Sequence, residues 1–285
     1  MPIEVRNLTH VYMSGTPFEA RALHGVSLDI RDGEFIGIIG HTGSGKSTLI
    51  SHLNALERSQ PDMVFVDGMD LGDKDVDLTA VRRAVGLVFQ YPEYQLFEET
   101  VALDIAFGPK NLKLPEEEVN ARVERAMEQV GLAKKYAQRS PFELSGGQKR
   151  RVAIAGVLAM QPSTLILDEP AAGLDPAGRR DMLDLVARIH ASGVTVVMVS
   201  HSMDDVARLC DRLFVLDHGK IAFSGTPGEV FVHGEALRAI GLDVPECAKL
   251  ANLLRARGFD MPEGIYSMED VQAAILRQLG GTRPC

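Results

Sequence analysis

Gly40-His41-Thr42-Gly43-Ser44-Gly45-Lys46-Ser47 decides the fold of this chain, and it closes the apolar run Phe35–Gly40. Its spacing fits G-x-x-x-x-G-K-[ST], in which glycines let the backbone wrap a phosphate chain, Lys46 reaches the β and γ phosphates and Ser47 ligates Mg²⁺. A glycine-rich turn can match this pattern by chance. Here a predicted buried strand precedes the loop and a predicted helix, Ser47–Leu56, follows it, so we expect a nucleotide-binding loop.

The composition is that of a globular protein. The chain has 285 residues, 45% of them hydrophobic and 24% charged, which suits one large domain plus a smaller one. The net charge of −9 disfavours nucleic acid as a partner, because such proteins usually present a basic surface. Cys210, Cys247 and Cys285 are scattered, so we expect neither a disulfide framework nor a zinc site. No apolar run approaches the roughly 20 residues that cross a bilayer, and we expect a soluble chain.

Short apolar runs alternate with helical patterns through the middle of the chain, which is typical of an α/β fold with a parallel core sheet. The predicted strands are Ile3–Tyr12, Val26–Ile30, Phe35–Gly40, Val85–Phe89, Thr164–Asp168, Val194–Ser200, Leu213–Leu216 and Ile221–Ser224. The last two strands flank Asp217–Lys220, which predicts a hairpin with a glycine-containing turn.

Two regions depart from this alternation. Glu116–Val130 repeats apolar residues at helical spacing and predicts a helical insert between strands. Near the C-terminus, Ala248–Arg257 and Met268–Leu279 predict two amphipathic helices, and Ser267 opens the second with a capping-box-like sequence. This tail is either a packed appendage or a dimer contact.

Leu144-Ser145-Gly146-Gly147-Gln148 has the features of a second phosphate site. This Ser/Gly loop leads into the helix-like run Gln148–Met160, where backbone N–H groups lie at the positive end of a helix dipole. The chain therefore carries two phosphate-binding loops. Their spacing alone does not show how both are used.

Two acids, Asp168 and Glu169, end the aliphatic run Leu165–Leu167. Because neighbouring side chains on a strand point to opposite sides, the two carboxylates can face different targets. Asp168 suits Mg²⁺, and Glu169 suits the orientation and deprotonation of an attacking water. Acids are also common where strands end, and Pro170 fits an abrupt exit, but the pairing with a P-loop favours chemistry.

Gln90 and His201 follow predicted strands, where sheets of this class place ligand contacts. An amide at position 90 can ligate Mg²⁺ or hold a water, whereas a lone histidine or glutamine would mean little by itself. Tyr12 offers a flat face for an adenine ring or simply packs in the core. The side chains of the other histidines are interpreted as incidental, among them His41, His52, His190 and His218.

In this order along the chain, the motifs resemble those of the ATP-binding-cassette ATPases. They match the A-loop, Walker A, Q-loop, signature, Walker B, D-loop and switch histidine of that family at Tyr12, Gly40–Ser47, Gln90, Leu144–Gln148, Leu165–Glu169, Gly173–Asp175 and His201. The match covers about residues 3–225. It implies an α/β P-loop NTPase cassette with a parallel RecA-like core, an N-terminal antiparallel β-subdomain and a helical insert, followed by a small α-helical C-terminal domain.

The resemblance also implies a domain of residues 1–225 with a helical subdomain at about 91–160, and an extension of residues 226–285. Two cassettes would pack head to tail, with each ATP between the Walker A loop of one chain and the signature loop of the other. The implied ATP-binding residues are Tyr12, Gly40, His41, Thr42, Gly43, Ser44, Gly45, Lys46, Ser47, Thr48, Gln90, Ser145, Gly147, Gln148 and Asp175. Mg²⁺ would be held by Ser47, Gln90 and Asp168, and the catalytic residues would be Glu169 and His201.

A narrower resemblance points to the ATPase subunits of energy-coupling factor transporters, which import vitamins and metal ions such as cobalt and nickel. It rests on His41–Ser44 in the P-loop, on Gln90–Phe97 and on Asp104–Asn111. The C-terminal extension suits the same group. In these transporters the groove after the Q-loop accepts helices of a transmembrane partner. Four residues are available to line such a groove or to pack in the core: Tyr91, Tyr94, Leu96 and Phe97.

The partners implied are a second cassette ATPase, with a paralogue favoured over an identical chain, a transmembrane coupling subunit and a substrate-binding membrane subunit. The chain would then work peripherally at the cytoplasmic face of the cell membrane. One alternative is the ATPase of an importer that uses a periplasmic binding protein. A less favoured alternative is a cassette ATPase of DNA repair or of the ribosome, since this chain has one cassette and no sustained heptads.

Overall fold

The computed structural model describes residues 3–279, and the chain divides into two compact units. The first unit contains residues 3–8, 27–33 and 47–199, and the second contains residues 9–26, 34–46 and 200–279. The strands are β1 (Ile3–Tyr12), β2 (Ala20–Ile30), β3 (Phe35–Gly40), β4 (Val64–Val66), β5 (Met69–Asp70), β6 (Val85–Val88), β7 (Thr164–Asp168), β8 (Thr195–Val199), β9 (Arg212–Asp217) and β10 (Lys220–Gly225).

The helices lie between and after these strands. They are α1 (Lys46–Leu53), α2 (Leu78–Ala84), α3 (Val101–Asn111), α4 (Glu116–Gln129), α5 (Gly146–Leu158), α6 (Pro176–Ala191), α7 (Met203–Leu209), α8 (Pro227–Phe231), α9 (Gly234–Ala239), α10 (Glu246–Ala256) and α11 (Met268–Gln278). Among the described residues, no helix combines the length and the apolar character that a membrane crossing requires.

Parallel strands form the core of the first unit. β8, β7 and β6 are neighbours in that order, and Leu165 of β7 lies opposite Gly86 on one side and Val196 on the other. All five residues of β8 are buried, as expected for a strand covered on both faces. The predicted α/β class with a parallel sheet is therefore confirmed.

An antiparallel hairpin in the first unit was missed by the sequence interpretation. β4 and β5 pair with each other, and β4 pairs with β1. Asp67 and Gly68 join the two strands with φ of 51° and 76°. Two positive φ angles are what a type I′ turn requires, and Asp-Gly is among its preferred sequences.

In the second unit, β9 lies between β3, to which it is parallel, and β10, to which it is antiparallel. Asp217 pairs with Lys220, so the predicted hairpin at this place is present. Every residue of β3 is buried, which sets the P-loop at the end of a fixed strand.

Helices α3, α4 and α5 pack together within the first unit and form the predicted helical insert. The predicted bounds of several helices differ from those observed by a few residues. α5 begins at Gly146, two residues early, because Ser145 caps it. α1 ends at Leu53, and Ala55 just beyond it has a positive φ of 53° that breaks the helix before the expected Leu56.

The C-terminal helices belong to the second unit. α10 and α11 enclose a small apolar cluster of Ala251, Met261, Ile265, Val271 and Ala274. The two short helices α8 and α9 precede them and were not predicted. Two cysteines are free thiols, and Cys285 lies outside the described residues. The boundary proposed between residues 225 and 226 stays a prediction.

Candidate functional site

The P-loop is held in shape by its own lysine and by the β9–β10 turn. Lys46 Nζ donates to the carbonyl oxygens of Gly40 at 2.7 Å and His41 at 2.9 Å. The Gly219 amide of the turn donates to the Ser44 carbonyl oxygen at 3.0 Å. These hydrogen bonds therefore fix the backbone conformation of the loop before helix α1.

Two P-loop glycines are required by packing inside the chain. A Cβ at Gly40 would overlap the Leu216 carbonyl oxygen and the Ser44 side chain. A Cβ at Gly45, where φ is +102°, would lie 2.7 Å from the Ala22 carbonyl oxygen. Such contacts leave glycine as the residue that fits both positions.

The P-loop has the donors that a phosphate chain needs. Ser44 Oγ is buried and has no hydrogen-bond partner among the described residues, so a hydroxyl donor is available to a ligand. The loop opens into α1, whose N-terminus favours an anion. Thr48 is buried in that helix and Ser47 is exposed, so the Ser47 hydroxyl can reach a bound cation.

The carboxyl ends of β6 and β7 bring further predicted site residues to one edge. The strands are parallel, with Val88 opposite Leu167, so Gln90 follows β6 at the same edge of the sheet where Asp168 ends β7. Gln90 is exposed and Asp168 is half-buried. An amide, a carboxylate and the Ser47 hydroxyl are oxygen ligands of the type that Mg²⁺ prefers.

Glu169 adopts a strained backbone conformation at the end of β7. Its φ is +51°, and its amide donates to the Val199 carbonyl oxygen at 3.0 Å. A non-glycine residue in the left-handed region costs energy, and such residues cluster at functional sites. The strain sets the direction of the glutamate where the chain leaves the sheet.

The signature loop differs from the P-loop because its glycines face open space. A Cβ built at Gly146 or Gly147 meets no atom within 4 Å among the described residues. Ser145 and Gln148 form a capping box, in which Ser145 Oγ accepts from the Gln148 amide at 3.4 Å and Gln148 Oε1 accepts from the Ser145 amide at 3.1 Å. The loop is therefore ordered by its helix while its glycine backbone stays accessible.

Behind the signature loop, Arg150 joins three segments of the first unit. Its Nε and Nη2 donate to the two Glu93 carboxylate oxygens at 3.1 and 2.9 Å. Its Nη1 donates to the carbonyl oxygens of Pro170 and Ala172, both at 2.9 Å. The side chain is 3% exposed, so this bidentate pair is largely desolvated. It ties the signature helix to the segment after Gln90 and to the segment after Glu169.

The pairing of Arg150 with Glu93 has no signature in the sequence, because 57 residues separate the two. Two of the four acceptors are backbone carbonyls, which no residue type reveals. The two positive φ angles nearby, at Tyr91 and Glu169, also have no signature in the sequence.

Three other predicted residues have contacts of their own. Asp175 caps α6 by accepting from the Gly178 amide at 2.7 Å, and it remains exposed. Tyr12 is 39% exposed and lies edge-on to His10, with ring centroids 4.4 Å apart. His201 is exposed two residues after β8, just before the α7 cap Ser202.

A groove of about 490 Å³ lies beside the segment after Gln90. Leu96 and Phe97 line it together with Phe107 and Met160, whereas Tyr91 and Tyr94 do not. Phe97 and Phe107 pack edge to face with ring centroids 5.0 Å apart and are both exposed. The Asp104 carboxylate accepts from the Phe97 and Glu98 amides at 3.3 and 3.2 Å, and burial raises its pKa.

These features define an ATPase of the ATP-binding-cassette type: a P-loop on a buried strand, two acids at the end of a parallel strand, and a second glycine loop that caps a helix. The ABC transporter family matches residues 23–172. The chain belongs to that family and, within it, to the energy-coupling factor transporter ATP-binding proteins.

Two relatives support the narrower group. The energy-coupling factor transporter ATP-binding protein EcfA2 of Caldanaerobacter subterraneus subsp. tengcongensis is 54% identical over 284 residues, 99% of each chain. The protein of the same name from Symbiobacterium thermophilum is 56% identical over 283 residues, 99% of this chain and 98% of its own.

Solved structures agree with the fold. The structure of cbiO1 from Clostridium perfringens, described as part of the ABC transporter complex cbiONQ, is 36% identical with a TM-score of 0.74 and covers 89% of this chain and 98% of its own. A dimeric structure of the cassette MJ0796 in a post-hydrolysis state bound to ADP and Pi is 30% identical with a TM-score of 0.69 and covers 79% and 98%.

Proposed function

We propose that this chain is the ATP-hydrolysing motor subunit of an energy-coupling factor importer for vitamins or transition-metal ions. Family membership along the whole chain supports this function. ATP binding closes a pair of cassettes, and hydrolysis and release reopen them. The observation that carries the proposal is the accessible glycine backbone of the signature loop.

The signature loop serves an ATP bound mainly by another chain. The packing of this chain does not require glycine at positions 146 and 147, since a Cβ there would meet no atom of residues 3–279 within 4 Å. A phosphate presented by a partner cassette fits this open loop at the positive end of α5. Ser145 and Gly147 are the proposed γ-phosphate contacts, and Asp175 lies on an exposed helix start from which it can communicate with the partner.

On the P-loop side, residues 40–48 bind the phosphates and Tyr12 stacks on the adenine. Glu169 orients the attacking water and accepts its proton, and His201 holds the γ-phosphate and that water. Ser47, Gln90 and Asp168 would hold Mg²⁺. The bound Mg²⁺ supplies charge neutralisation of the phosphate oxygens.

The groove beside Phe97 is the proposed contact for the transmembrane coupling subunit. Exposed Phe97 and Phe107 give this surface apolar area for a partner helix. Tyr94 is 84% exposed next to it and extends the same surface. The chain would lie peripherally at the cytoplasmic face of the membrane, in a complex that also contains a substrate-binding membrane subunit.

The second cassette of the dimer is proposed to be a paralogue, because the Gln90–Phe97 sequence resembles one of two paralogous types. The C-terminal helices are a further proposed dimer contact. Leu250 and Leu253 of α10 are exposed one turn apart, and Met268 of α11 is exposed as well.

The Glu169→Gln variant tests the catalytic assignment. Glutamine keeps the size of the side chain but cannot accept the proton, so we expect the hydrolysis rate of the purified dimer to fall by at least about 100-fold. Binding of ATP should persist. The matched control is Glu143→Gln, which changes an exposed acid close to the signature loop. A Glu169→Gln dimer with a normal hydrolysis rate would show that another group is the base.

Purification of the native complex tests the transporter class. An energy-coupling factor importer should yield a small substrate-binding membrane protein and a second cassette ATPase with this chain. Recovery of a periplasmic binding protein instead would support the alternative importer class. Salt-sensitive binding to DNA or ribosomes would support the non-transport class.

A further inference from the structure

Three side chains that are neither Mg²⁺ ligands nor catalytic residues of the proposed ATP site meet at the P-loop. His41 lies in the loop, Asp217 ends β9 176 residues later in the chain, and His218 follows it in the β9–β10 turn. One ligand atom of each residue lies within 4.8 Å of the others. His41 Nε2 is 3.1 Å and His218 Nε2 is 3.8 Å from Asp217 Oδ1. The two imidazole rings have centroids 5.0 Å apart.

The hydrogen bonds of His41 point to a bound cation. His41 Nδ1 lies 2.8 Å from the Thr42 carbonyl oxygen, an acceptor only, so Nδ1 carries a proton. In the neutral ring Nε2 then presents a lone pair, and it faces a carboxylate oxygen. A metal ion placed between these two acceptors, 3.1 Å apart, would be ligated by both.

The spacing of the ligand atoms suits a transition metal. Bonds of about 2.0–2.2 Å from nitrogen and oxygen in a tetrahedral site place ligand atoms about 3.3–3.6 Å apart. The observed separations begin at 3.1 Å and extend to 4.8 Å or less. His218 is 83% exposed and can rotate inward to shorten the longest one. An N–H donated to a backbone carbonyl is also the usual second contact of a metal-binding histidine.

We propose that His41, Asp217 and His218 form a binding site for a divalent transition metal ion that joins the P-loop to the β9–β10 turn. Two imidazoles and one carboxylate favour Zn²⁺, Ni²⁺ or Co²⁺ over Mg²⁺, which prefers oxygen ligands. This site is separate from the Mg²⁺ ligands of the ATP site, because it shares none of their residues.

The metal would reinforce a contact that the backbone already makes. Gly219 donates to Ser44 of the P-loop at 3.0 Å and accepts from the His24 amide at 2.8 Å. A side-chain link between His41 and the turn would act on the same two segments. Metal binding should therefore slow backbone motion at both ends of the link and leave the rest of the chain unchanged.

The test is Ni²⁺ binding to the untagged full chain without nucleotide, measured by titration calorimetry. About one Ni²⁺ per chain is expected from one three-ligand site. Asp217→Asn should weaken binding at least about tenfold, within the range seen when metal sites lose a supporting group. The asparagine amide can donate to neutral His41 Nε2, so this variant keeps the pair joined without a cation. His218→Asn should weaken binding similarly, and asparagine tolerates the φ of +44° there.

His233→Asn is the control, since it removes a histidine that stacks on Phe223 in the same unit and starts α9. Its affinity for Ni²⁺ should equal that of the wild type. Hydrogen exchange should slow on Ni²⁺ addition in peptides that cover residues 41–46 and 216–220. The proposal is overturned if the wild type binds no Ni²⁺. Equal affinity of the wild type and Asp217→Asn, or slowed exchange confined to other segments, overturns it too.

Discussion

The P-loop and the signature loop are both glycine-rich turns at the start of a helix, yet the surroundings of their glycines differ. In the P-loop, Gly40 and Gly45 lie against backbone and side-chain atoms of their own chain. In the signature loop, Gly146 and Gly147 border on open space among residues 3–279. Folding alone therefore accounts for the first pair of glycines. The packing of residues 3–279 does not account for the second pair, and the proposed phosphate of a partner cassette would account for it.

The two loops also differ in how they are anchored. The P-loop is held from inside by Lys46 and from the side by the β9–β10 turn. The signature loop is held from behind by Arg150, whose guanidinium binds Glu93 and two carbonyl oxygens. The open signature loop is thus positioned by its capping box and by a buried charge pair behind it.

The largest expected effect is on that anchor. Arg150→Met leaves the Glu93 carboxylate and two carbonyl oxygens without their donor, so we expect a loss of about 3–5 kcal/mol in the free energy of unfolding. Denaturant titration measures this loss. Arg125→Met is the control, because Arg125 is an exposed residue of α4 in the same unit. A loss below about 1 kcal/mol, the value typical of an exposed pair, would contradict the anchoring role of Arg150.

The sequence predicted the parts of this comparison that depend on local spacing. The glycine pattern at 40–47, the acids 168–169 and the cap of α11 are each readable within a few residues. The β4–β5 hairpin carried an Asp67-Gly68 turn signal as well and could have been predicted.

Contacts between distant segments could not be predicted in this way. The Arg150–Glu93 pair and the His41–Asp217 pair join residues 57 and 176 positions apart. Nothing in the local pattern of His218 distinguishes it from a surface histidine, which is why it was interpreted as incidental. Only the pairing of β9 with β3 brings its turn to the P-loop.

The next largest effect is expected in the P-loop, where substitutions of two glycines can be compared. Gly45→Ala combines a left-handed φ with overlap on the Ala22 carbonyl oxygen, so we expect about 2–4 kcal/mol of lost stability. Gly43→Ala shares a positive φ, +81°, but its Cβ meets no described atom within 4 Å. It should cost only about 1–2 kcal/mol, and denaturant titration of both variants separates strain from overlap. Equal losses would show that packing against β2 does not constrain the loop.

A smaller effect of opposite sign is expected in the signature loop. Gly147→Ala adds a methyl group to open space in the first turn of α5, so the free energy of unfolding should stay level or rise by about 0.5–1 kcal/mol. ATP hydrolysis by the dimer should nevertheless fall at least about tenfold, a barrier change of about 1.4 kcal/mol, because the methyl group would occupy the space proposed for the partner's phosphate. A Gly147→Ala variant that is less stable than the wild type yet hydrolyses ATP at the normal rate would contradict the proposed difference between the two loops.

The smallest expected effect lies in an exposed region that neither loop uses. The hydrogen bond from Lys249 to the Asp243 carboxylate lowers the pKa of Asp243, and the Val244 amide lowers it further. A lowered folded-state pKa means that the stabilisation is present above the ordinary aspartate pKa of about 3.9 and is lost as the pH falls through the folded-state value. Asp243 is 55% exposed, so Asp243→Asn should cost less than about 0.5 kcal/mol at pH 7. Thermal unfolding from pH 7 down to about pH 3 should show the difference between wild type and variant vanishing at the acid end. If the difference in stability between wild type and variant instead grows as the pH falls, the ionised Asp243 does not stabilise the folded chain through Lys249.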